Sequence, residues 1–484
     1  MIPLLSLLLT TAVANPVSVG GYMRVMTRPD LQGGSGTLGY WNLYGRLLNE
    51  RPYASLDLKM DLLPDQQNNL PWTSLYTRLE GNSIGGADAQ NGSMQNFRLS
   101  QVYLLSGNVG IKDVQWRMGT QESYFGDLGL YDMRPAEIFY GMVGVSGRYQ
   151  TKRMEVILGA GDSGYSMLGE TYNTIFTGGG SFRYRPVDRF EFGFGGQYNW
   201  EKGIQGNQNS PYLTPNSSYE DFIRGEVVQN YMQEHPYQAE GFPDPVLSDA
   251  NSYKAVGYIG FGGFGPLIWN NFYATYQKLH PEKRSQEEYQ GQVYDIFTTG
   301  LTDQRTILLF GNEMQLKVIP KRFDIAWGFL YGDQRDGDND IAPSDYDRIY
   351  KSTVLRSQIY LTPTLHFLLE SSIASEYSRN GNAYREHADS LFSNTEGSAD
   401  SRGFENGDSD TRTTWQSKAG IVINPTGIGI FARPSLRILY GSQYSNQNNA
   451  FGNSFVETVN QYNYFGNVEQ HWHHLFAVET EAWF

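Results

Sequence analysis

The sequence predicts an all-β fold, a transmembrane antiparallel β-barrel of about 18 strands, and three observations predict it. First, aromatic residues make up 14% of the 484-residue chain, with 34 Tyr, 26 Phe and 9 Trp beside 54 Gly. Second, apolar and polar residues alternate with a period of two, which is the spacing of a β-strand with two different faces. Third, short turns alternate with long polar stretches, as periplasmic turns and extracellular loops do in such barrels.

The overall composition excludes a helical membrane protein and disfavours nucleic acid as a partner. Hydrophobic residues are 39% of the chain, the mean hydropathy is -0.48, and no apolar run is long enough for a membrane helix. The 37 basic and 51 acidic residues give a net charge of -14, the wrong sign for binding phosphate backbones. The chain has no Cys, which fits a closed barrel that needs no disulfides and excludes thiol chemistry.

The start of the chain predicts an export signal, followed by one domain. Residues 1–14 combine an apolar core, Leu4 to Leu9, with the cleavage pattern Ala12-Val13-Ala14, although the usual basic residues before the core are missing. Residues 15–484 contain no linker of biased composition and no repeat beyond the strand period. We therefore predict a signal peptide at 1–14 and an outer-membrane barrel at 15–484.

The last predicted strand shows the alternation most clearly. Residues 476–484 set an apolar row that ends in Phe484 opposite a row with Glu479, Glu481 and Trp483. An apolar row suits lipid, and a charged row suits a watery lumen. Soluble sandwiches alternate in the same way, so the membrane prediction depends on the other strands as well.

The other strands are predicted from similar runs and the turns between them. In the first two strands, Tyr22 and Tyr53 lie on the polar face. Short turns occur at 186–188, 319–321 and 362–364, and long polar stretches fill the other connections. The predicted strands are 17–26, 53–62, 71–80, 97–107, 114–122, 145–150, 154–161, 179–186, 189–200, 253–263, 267–279, 305–318, 322–333, 351–362, 365–378, 412–425, 433–446 and 473–484.

Several motifs resemble the maltoporin family, the sugar-specific trimeric porins of bacterial outer membranes. They are Gly21-Tyr22-Met23-Arg24, Arg46-Leu47-Leu48-Asn49-Glu50 with Tyr53-Ala54, Phe97-Arg98-Leu99-Ser100-Gln101-Val102, and Phe431-Ala432-Arg433-Pro434-Ser435-Leu436-Arg437. The stretch from Trp116 to Gly144 is similar to the family's inward-folded third loop. The resemblance implies a homotrimer without a cofactor or metal, surrounded by lipid and lipopolysaccharide, that passes oligosaccharides such as maltodextrins.

The resemblance also implies a row of lumen aromatics, flanked by charged residues that bind sugar hydroxyls. The aromatic positions fall on Tyr22, Tyr53, Phe272, Phe431 and Trp483, and the charged positions fall on Arg24, Arg46, Arg98, Asp127 and Asp132. An aromatic ring can bury the apolar face of a pyranose while its hydroxyls stay free for Arg and Asp.

The alternation of the strands supports part of this assignment independently. It places Tyr22, Tyr53 and Trp483 on polar faces, and it groups Phe431 with Arg433 and Arg437 on one face of a strand. We therefore predict that Arg433 and Arg437 bind the hydroxyls of a sugar that stacks on Phe431. For Phe272 the alternation is ambiguous. The chain also departs from the family at the predicted constriction, where Phe125 and Arg134 replace an arginine and a tyrosine. These departures leave the preferred sugar open.

Each of these assignments has a simpler alternative. The aromatics could belong to the interface belt or to lumen packing, and the arginines could form salt bridges along the wall. Asp127, Asp132 and Glu122 are carboxylates of the kind that a glycosidase uses, but in a porin such acids shape the field at the constriction. The acidic stretch Asp333 to Asp347 partly resembles a Ca²⁺ loop, with Ile341 at the position that requires Gly. A solvated loop is the simpler interpretation.

Three functions therefore compete. The leading prediction is a channel for oligosaccharides, the second is a less selective porin for small solutes or anions, and the third is an outer-membrane hydrolase. The sequence has no Ser-His-Asp, P-loop or zinc-protease motif, so we predict that the protein is not an enzyme. His471, His473 and His474 adjoin Trp472 at a strand end, where an interfacial role is the simpler interpretation than a metal site.

Overall fold

The structure is a computed structural model, and it describes most of the predicted strands. The described residues are 17–27, 31, 42–50, 52–64, 70–81, 98–163, 175–201, 250–278, 285–289, 292–296, 306–335, 348–378, 411–446 and 471–484. The predicted signal peptide and most of the acidic stretch between Asp333 and Asp347 lie outside these residues. No helix among the described residues is both long and apolar enough to cross a membrane.

Eighteen strands form one antiparallel sheet that closes on itself. They are Val17–Thr27 (β1), Tyr53–Leu63 (β2), Trp72–Gly81 (β3), Arg98–Gly107 (β4), Val114–Thr120 (β5), Val143–Gln150 (β6), Met154–Asp162 (β7), Ile175–Val187 (β8), Phe190–Glu201 (β9), Ala250–Phe264 (β10), Leu267–Lys278 (β11), Thr306–Ile319 (β12), Phe323–Arg335 (β13), Arg348–Tyr360 (β14), Leu365–Ser378 (β15), Thr411–Ile423 (β16), Ser435–Ser445 (β17) and Trp472–Trp483 (β18).

The first and last strands close the barrel. β1 pairs with β2 along one edge and with β18 along the other, where Tyr22 lies opposite Trp483 and Thr27 lies opposite Val478. The pairing continues past the last strand, because the Gly21 N–H donates to the Phe484 carbonyl at 2.9 Å. A closed sheet leaves no edge of unpaired backbone groups, which is what a bilayer requires.

Side chains on the two faces differ as predicted. In β14, Ser352 and Arg356 face the lumen and are buried, whereas Ile349, Leu355 and Ile359 face outward and are exposed. Aromatic residues cluster at one rim of the exterior, where the Trp415 and Trp472 rings lie 6.1 Å apart. An apolar exterior with an aromatic rim belongs to bacterial outer-membrane barrels. The predicted fold class and the predicted location in the outer membrane are therefore confirmed.

The segment between β5 and β6, residues 121–142, folds into the lumen and is called loop 3 here. It contains a short hairpin, Ser123–Tyr124 with Glu137–Ile138. Its apolar side chains Leu128 and Tyr131 are fully buried although no long strand carries them. These side chains join the lumen-facing residues of the wall in one hydrophobic cluster. The predicted inward fold of the third loop is confirmed.

Two further segments also turn inward, and neither was predicted. One is residues 42–50, which begin with a 3₁₀ turn at Asn42–Tyr44; the other is the connection 424–434, called the inner turn here. The Gly429 carbonyl of the inner turn accepts a hydrogen bond from Gln358 Nε2 at 3.3 Å. Ile430 of this turn is buried in the same cluster as loop 3.

The inner turn corrects the assignment of Phe431. The sequence predicted a strand at 433–446 with Phe431 at its lumen face, but β17 begins at Ser435. Pro434 has no N–H to donate to the strand ladder, so the strand begins after it. Phe431 therefore lies in the inner turn and does not share a strand face with Arg433 and Arg437.

The orientation of β2 gives a direct test of the two faces. Asp57 lies on the lumen side, where it pairs with Arg78, and Leu58 lies on the outer side. We expect Asp57→Cys to react much faster than Leu58→Cys with a membrane-impermeant thiol reagent in intact outer membranes, because lipid covers only the outer face. The parent chain has no Cys and serves as the unlabelled control. Faster labelling of Leu58→Cys would show that the register of β2 is wrong.

Candidate functional site

Loop 3 lies against the inner wall formed by β9 to β14, and glycines in this wall make room for it. A Cβ atom at Gly311 would lie 2.7 Å from Leu128, and one at Gly328 would lie 2.8 Å from Tyr131. Real Cβ atoms do not approach other atoms so closely, so larger residues at these glycines would force the Leu128 and Tyr131 side chains to shift. The wall is therefore shaped to hold loop 3 along one side of the lumen.

Glu313 of β12 holds the backbone of loop 3. Its carboxylate accepts hydrogen bonds from the Gly129 N–H at 3.1 Å and the Leu130 N–H at 2.7 Å. Sequence reasoning missed this residue. One signal was available in the sequence: a carboxyl side chain on the inward face of β12, next to the uncharged Leu309 and Gly311 on the same face. Hydrogen bonds from two successive N–H groups to one buried carboxyl group fix the position of the loop.

The other side of loop 3 is polar and exposed to the lumen. We call this side the free edge, and it consists of Tyr124, Asp127, Asp132 and Arg134. Arg134 forms a salt bridge with Glu122 and lies over the Tyr124 ring at 4.2 Å from its centroid. Asp127, Asp132 and Arg134 were all predicted as lumen residues, and the structure brings them together on this edge.

The facing wall, made by the lumen side of β2 to β4, carries a second polar row. Arg98 Nη2 lies 3.0 Å from Glu80 Oε1, and the Tyr53 hydroxyl donates to the other oxygen of Glu80 at 2.8 Å. Arg78 and Asp57 form the next pair, with Nε to Oδ1 at 2.6 Å. The facing wall therefore presents aromatic rings and paired charges.

Contacts at both ends of the free edge join loop 3 to the barrel wall. At one end, Gln101 Nε2 donates to Glu122 Oε2 at 2.7 Å. At the other end, Arg24 Nη1 lies 3.6 Å from Asp132 Oδ2 and 2.5 Å from Glu50 Oε2. Between these contacts, the free edge and the facing wall bound the candidate solute path.

The two carboxyl groups at the Arg24 end, Glu50 and Asp132, differ in acidity. Burial raises the pKa of Glu50 to about 8, against the opposing charges of Arg46 and Arg24. Burial acts in the same direction on Asp132, but a hydrogen bond from Glu50 and the charges of Arg46 and Arg24 outweigh it and lower the pKa of Asp132 to about 2. The two shifts have opposite directions, so Asp132 is the more acidic member of the pair.

One buried carboxylate, that of Glu481, holds three of the predicted arginines. Arg46 Nη2 and Arg433 Nε both lie 2.6 Å from Glu481 Oε1, and Arg437 pairs with the other oxygen. The Tyr22 hydroxyl also donates to Glu481 at 2.6 Å. Because these groups neutralise one buried carboxylate, the prediction that Arg46, Arg433 and Arg437 bind sugar directly does not match their placement.

Three of the five predicted aromatic positions form a continuous row in the lumen. The ring centroids of Trp483 and Tyr22 lie 4.6 Å apart, and those of Tyr22 and Tyr53 lie 5.8 Å apart. Trp483 is 63% exposed, whereas Tyr22 is 9% exposed. Farther along the wall, Tyr76 and Tyr103 stack at 5.0 Å, a pair that the sequence analysis did not single out.

The other aromatic predictions need correction. Phe272 faces outward and stacks on Phe261 at 6.1 Å, while its neighbour Tyr273 faces the lumen. Phe431 packs against Trp269 at 6.3 Å and against loop 3.

Phe125, one of the two predicted constriction residues, is also placed differently. It is buried, and its ring stacks on Tyr258 at 5.8 Å. A Cβ atom at Gly193 would lie 2.4 Å from the Phe125 ring, so the wall is shaped around it. Phe125 therefore fixes loop 3 to the wall, and only Arg134 of the predicted pair lies at the constriction.

Comparisons with known proteins give structural neighbours of low sequence identity. No family model matches the chain, and no curated protein matches it. Pseudomonas aeruginosa OprD is 9% identical, with 99% of this chain and 97% of that chain covered and a TM-score of 0.42. Acinetobacter baumannii OccAB1 is 10% identical, with 97% and 96% covered and a TM-score of 0.43. Escherichia coli Wzi, a carbohydrate-binding β-barrel involved in capsule assembly, is 11% identical, with 96% and 84% covered and a TM-score of 0.40.

Glu137 of loop 3 has a pKa raised toward neutrality. Burial, reinforced by the charge of Glu122, raises the pKa of Glu137 to about 7, although Arg134 opposes this shift. Glu137 is therefore neutral below this pH and negative above it. We expect cation preference, measured as the reversal potential in a KCl gradient, to rise as the pH passes through neutrality. The Glu137→Gln variant should lose this step.

A matched variant controls for charges elsewhere. Asp188 lies in the exposed turn between β8 and β9, away from loop 3. Asp188→Asn should keep the step in reversal potential. If Glu137→Gln keeps it too, Glu137 is not the group that titrates.

Proposed function

We propose that this protein is a porin whose solute path runs between the free edge of loop 3 and the facing wall, and that it passes neutral oligosaccharides of the maltodextrin type. The observation that carries this proposal is the row Trp483, Tyr22 and Tyr53, which continues into the charged pairs Arg98–Glu80 and Arg78–Asp57. Such a surface offers flat apolar faces to sugar rings and hydrogen-bonding groups to their hydroxyls.

The pairing of charges favours neutral solutes over anions. Arg78, Arg98 and Arg134 each lie within 4.0 Å of a carboxylate. Paired charges produce little net field in the lumen, whereas attraction of anions needs a surplus of one sign. The same side chains still offer both donors and acceptors, which is what a sugar hydroxyl requires.

The strength expected of each stacking site is modest. Burying about 40 Å² of apolar sugar surface on one ring contributes roughly 1 kcal/mol. A series of weak sites lets a sugar chain enter and leave without being trapped. The exposed Trp483 is the strongest candidate for such a site.

A less selective porin for small solutes is the second candidate. The observation that favours this second candidate is the shortness of the aromatic row. Only three of the five predicted rings form it, because Phe272 faces outward and Phe431 packs in the inner turn. In such a channel, solute size would determine passage, and sugars would block the current weakly. The row of three rings leads us to place the sugar channel first.

We extend the proposal to partners and to catalysis. We propose a homotrimer in contact with lipid and lipopolysaccharide, and a transport role without catalysis or a cofactor. Native mass measurement in detergent tests the trimer. Incubation with maltodextrins tests catalysis, because a hydrolase of the kind that Glu122, Asp127 and Asp132 could support would release shorter products.

Aromatic variants test the sugar path. We expect Trp483→Ala to weaken maltodextrin block of the single-channel current about fivefold, which corresponds to roughly 1 kcal/mol of lost stacking. Tyr53→Ala should act in the same direction. Ion conductance should barely change, because removal of a ring does not narrow the lumen.

The matched control is Phe272→Ala, which removes an aromatic ring from the outer face. It should leave maltodextrin block unchanged. Equal block by the parent, Trp483→Ala and Tyr53→Ala would contradict the sugar path and leave the less selective porin.

A further inference from the structure

A second group of buried polar residues lies at the base of the barrel, apart from the solute path. We call Asp324, Gln358, His366 and Asn424 the basal cluster; each is at most 3% exposed. Asp324 and Gln358 lie directly opposite each other in the pairing of β13 with β14. Asn424 follows β16, and its N–H donates to the Thr364 carbonyl at 2.9 Å. Three neighbouring strands and the inner turn thus bring these side chains together.

Hydrogen bonds determine how the side-chain amides of Gln358 and Asn424 are oriented. His366 Nε2 lies 3.0 Å from the Pro363 carbonyl, which can only accept, so Nε2 carries the proton and Nδ1 is an acceptor. The side-chain nitrogens of Gln358 and Asn424 lie 2.8 Å and 3.3 Å from Nδ1. Both nitrogens also donate to the Gly429 carbonyl at 3.3 Å. The two amide oxygens are therefore directed away from these acceptors.

Three buried oxygens in the cluster lack a donor among the described residues. They are Asp324 Oδ1, Gln358 Oε1 and Asn424 Oδ1. The other oxygen of Asp324 accepts from the Tyr360 hydroxyl at 2.9 Å and from Gln315 Nε2 at 3.3 Å. Within the described part of the chain, Asp324 forms no salt bridge. A buried carboxylate without a counter-charge and three acceptors without donors are each unfavourable.

We propose that the basal cluster binds a hard cation, Ca²⁺, through Asp324 Oδ1, Gln358 Oε1 and Asn424 Oδ1. One cation supplies the missing counter-charge and satisfies all three acceptors, whereas a water molecule leaves the charge uncompensated. Carboxylate and amide oxygens are the ligands that Ca²⁺ prefers, and its flexible coordination suits an irregular set better than Mg²⁺. With a single carboxylate, the affinity belongs to the weak range of extracellular sites, about 10⁻⁴ to 10⁻³ M.

The proposal departs from the sequence prediction of no metal, and for a clear reason. The described residues contain no group of three or more histidine, cysteine or carboxylate side chains placed to hold a metal. The basal cluster differs because two of its three oxygens are amides, which carry no charge signal in the sequence. A cation here would fix Asn424 and Gln358, and with them the inner turn, whose Phe431 lies beneath Gly129 of loop 3.

Terbium luminescence tests the site on the intact chain in detergent. Tyr360, which is hydrogen-bonded to Asp324, should sensitise the luminescence of bound Tb³⁺. Added Ca²⁺ should displace the bound Tb³⁺. We expect Asp324→Asn to remove the Ca²⁺-displaceable emission. Asp57→Asn, in the lumen wall, is the control and should keep it.

A second variant keeps the test informative if Asp324→Asn folds poorly. Asn424→Ala removes one of the three oxygens while Asp324 stays in place, so the Tb³⁺ concentration for half-maximal emission should rise about tenfold. An unchanged Tb³⁺ concentration for half-maximal emission in Asn424→Ala would overturn the proposal. So would equal displacement by NaCl at the same ionic strength, or emission that Asp324→Asn retains.

Discussion

Closure of the strand ladder is the constraint on which the rest of this structure depends. A chain that crosses hydrocarbon as strands must pair every backbone N–H and carbonyl, and pairing β1 with both β2 and β18 achieves this. Closure then creates an interior that the chain itself has to fill or line. Three inward segments fill part of this interior: loop 3, residues 42–50 and the inner turn. They cover the lumen side of one half of the wall and leave the other half polar and open.

Buried ion pairs hold these inward segments in place. Glu376 pairs with Arg412 and Arg348 beneath Tyr44, and Glu370 pairs with Lys418, whose Nζ also donates to the Tyr44 carbonyl at 2.9 Å. Loss of one partner would leave an uncompensated charge in the interior, which is strongly destabilising. The arginines of this wall therefore serve the architecture, and the exposed pairs on the opposite side are the ones that we propose for solute recognition.

The period of two was enough to predict the barrel, its strands to within a few residues, and the lumen placement of Tyr22, Tyr53 and Trp483. It was not enough for Phe431, because the alternation continues across Pro434 while the strand does not. Nor could it show that Arg46, Arg433 and Arg437 converge on Glu481, since that contact joins distant parts of the chain. Phe272 failed because adjacent aromatics at 272 and 273 give no alternation from which to choose a face.

The central claim is that solutes pass between the free edge of loop 3 and the facing wall. Arg134 lies on that edge, so a bulky group attached there should obstruct the path. The most direct measurement is the single-channel conductance of Arg134→Cys before and after complete reaction with a bulky thiol reagent that forms a mixed disulfide. The account predicts that modification removes most of the conductance and that reduction restores it. Full modification with unchanged conductance would contradict the claim and place the path elsewhere in the barrel.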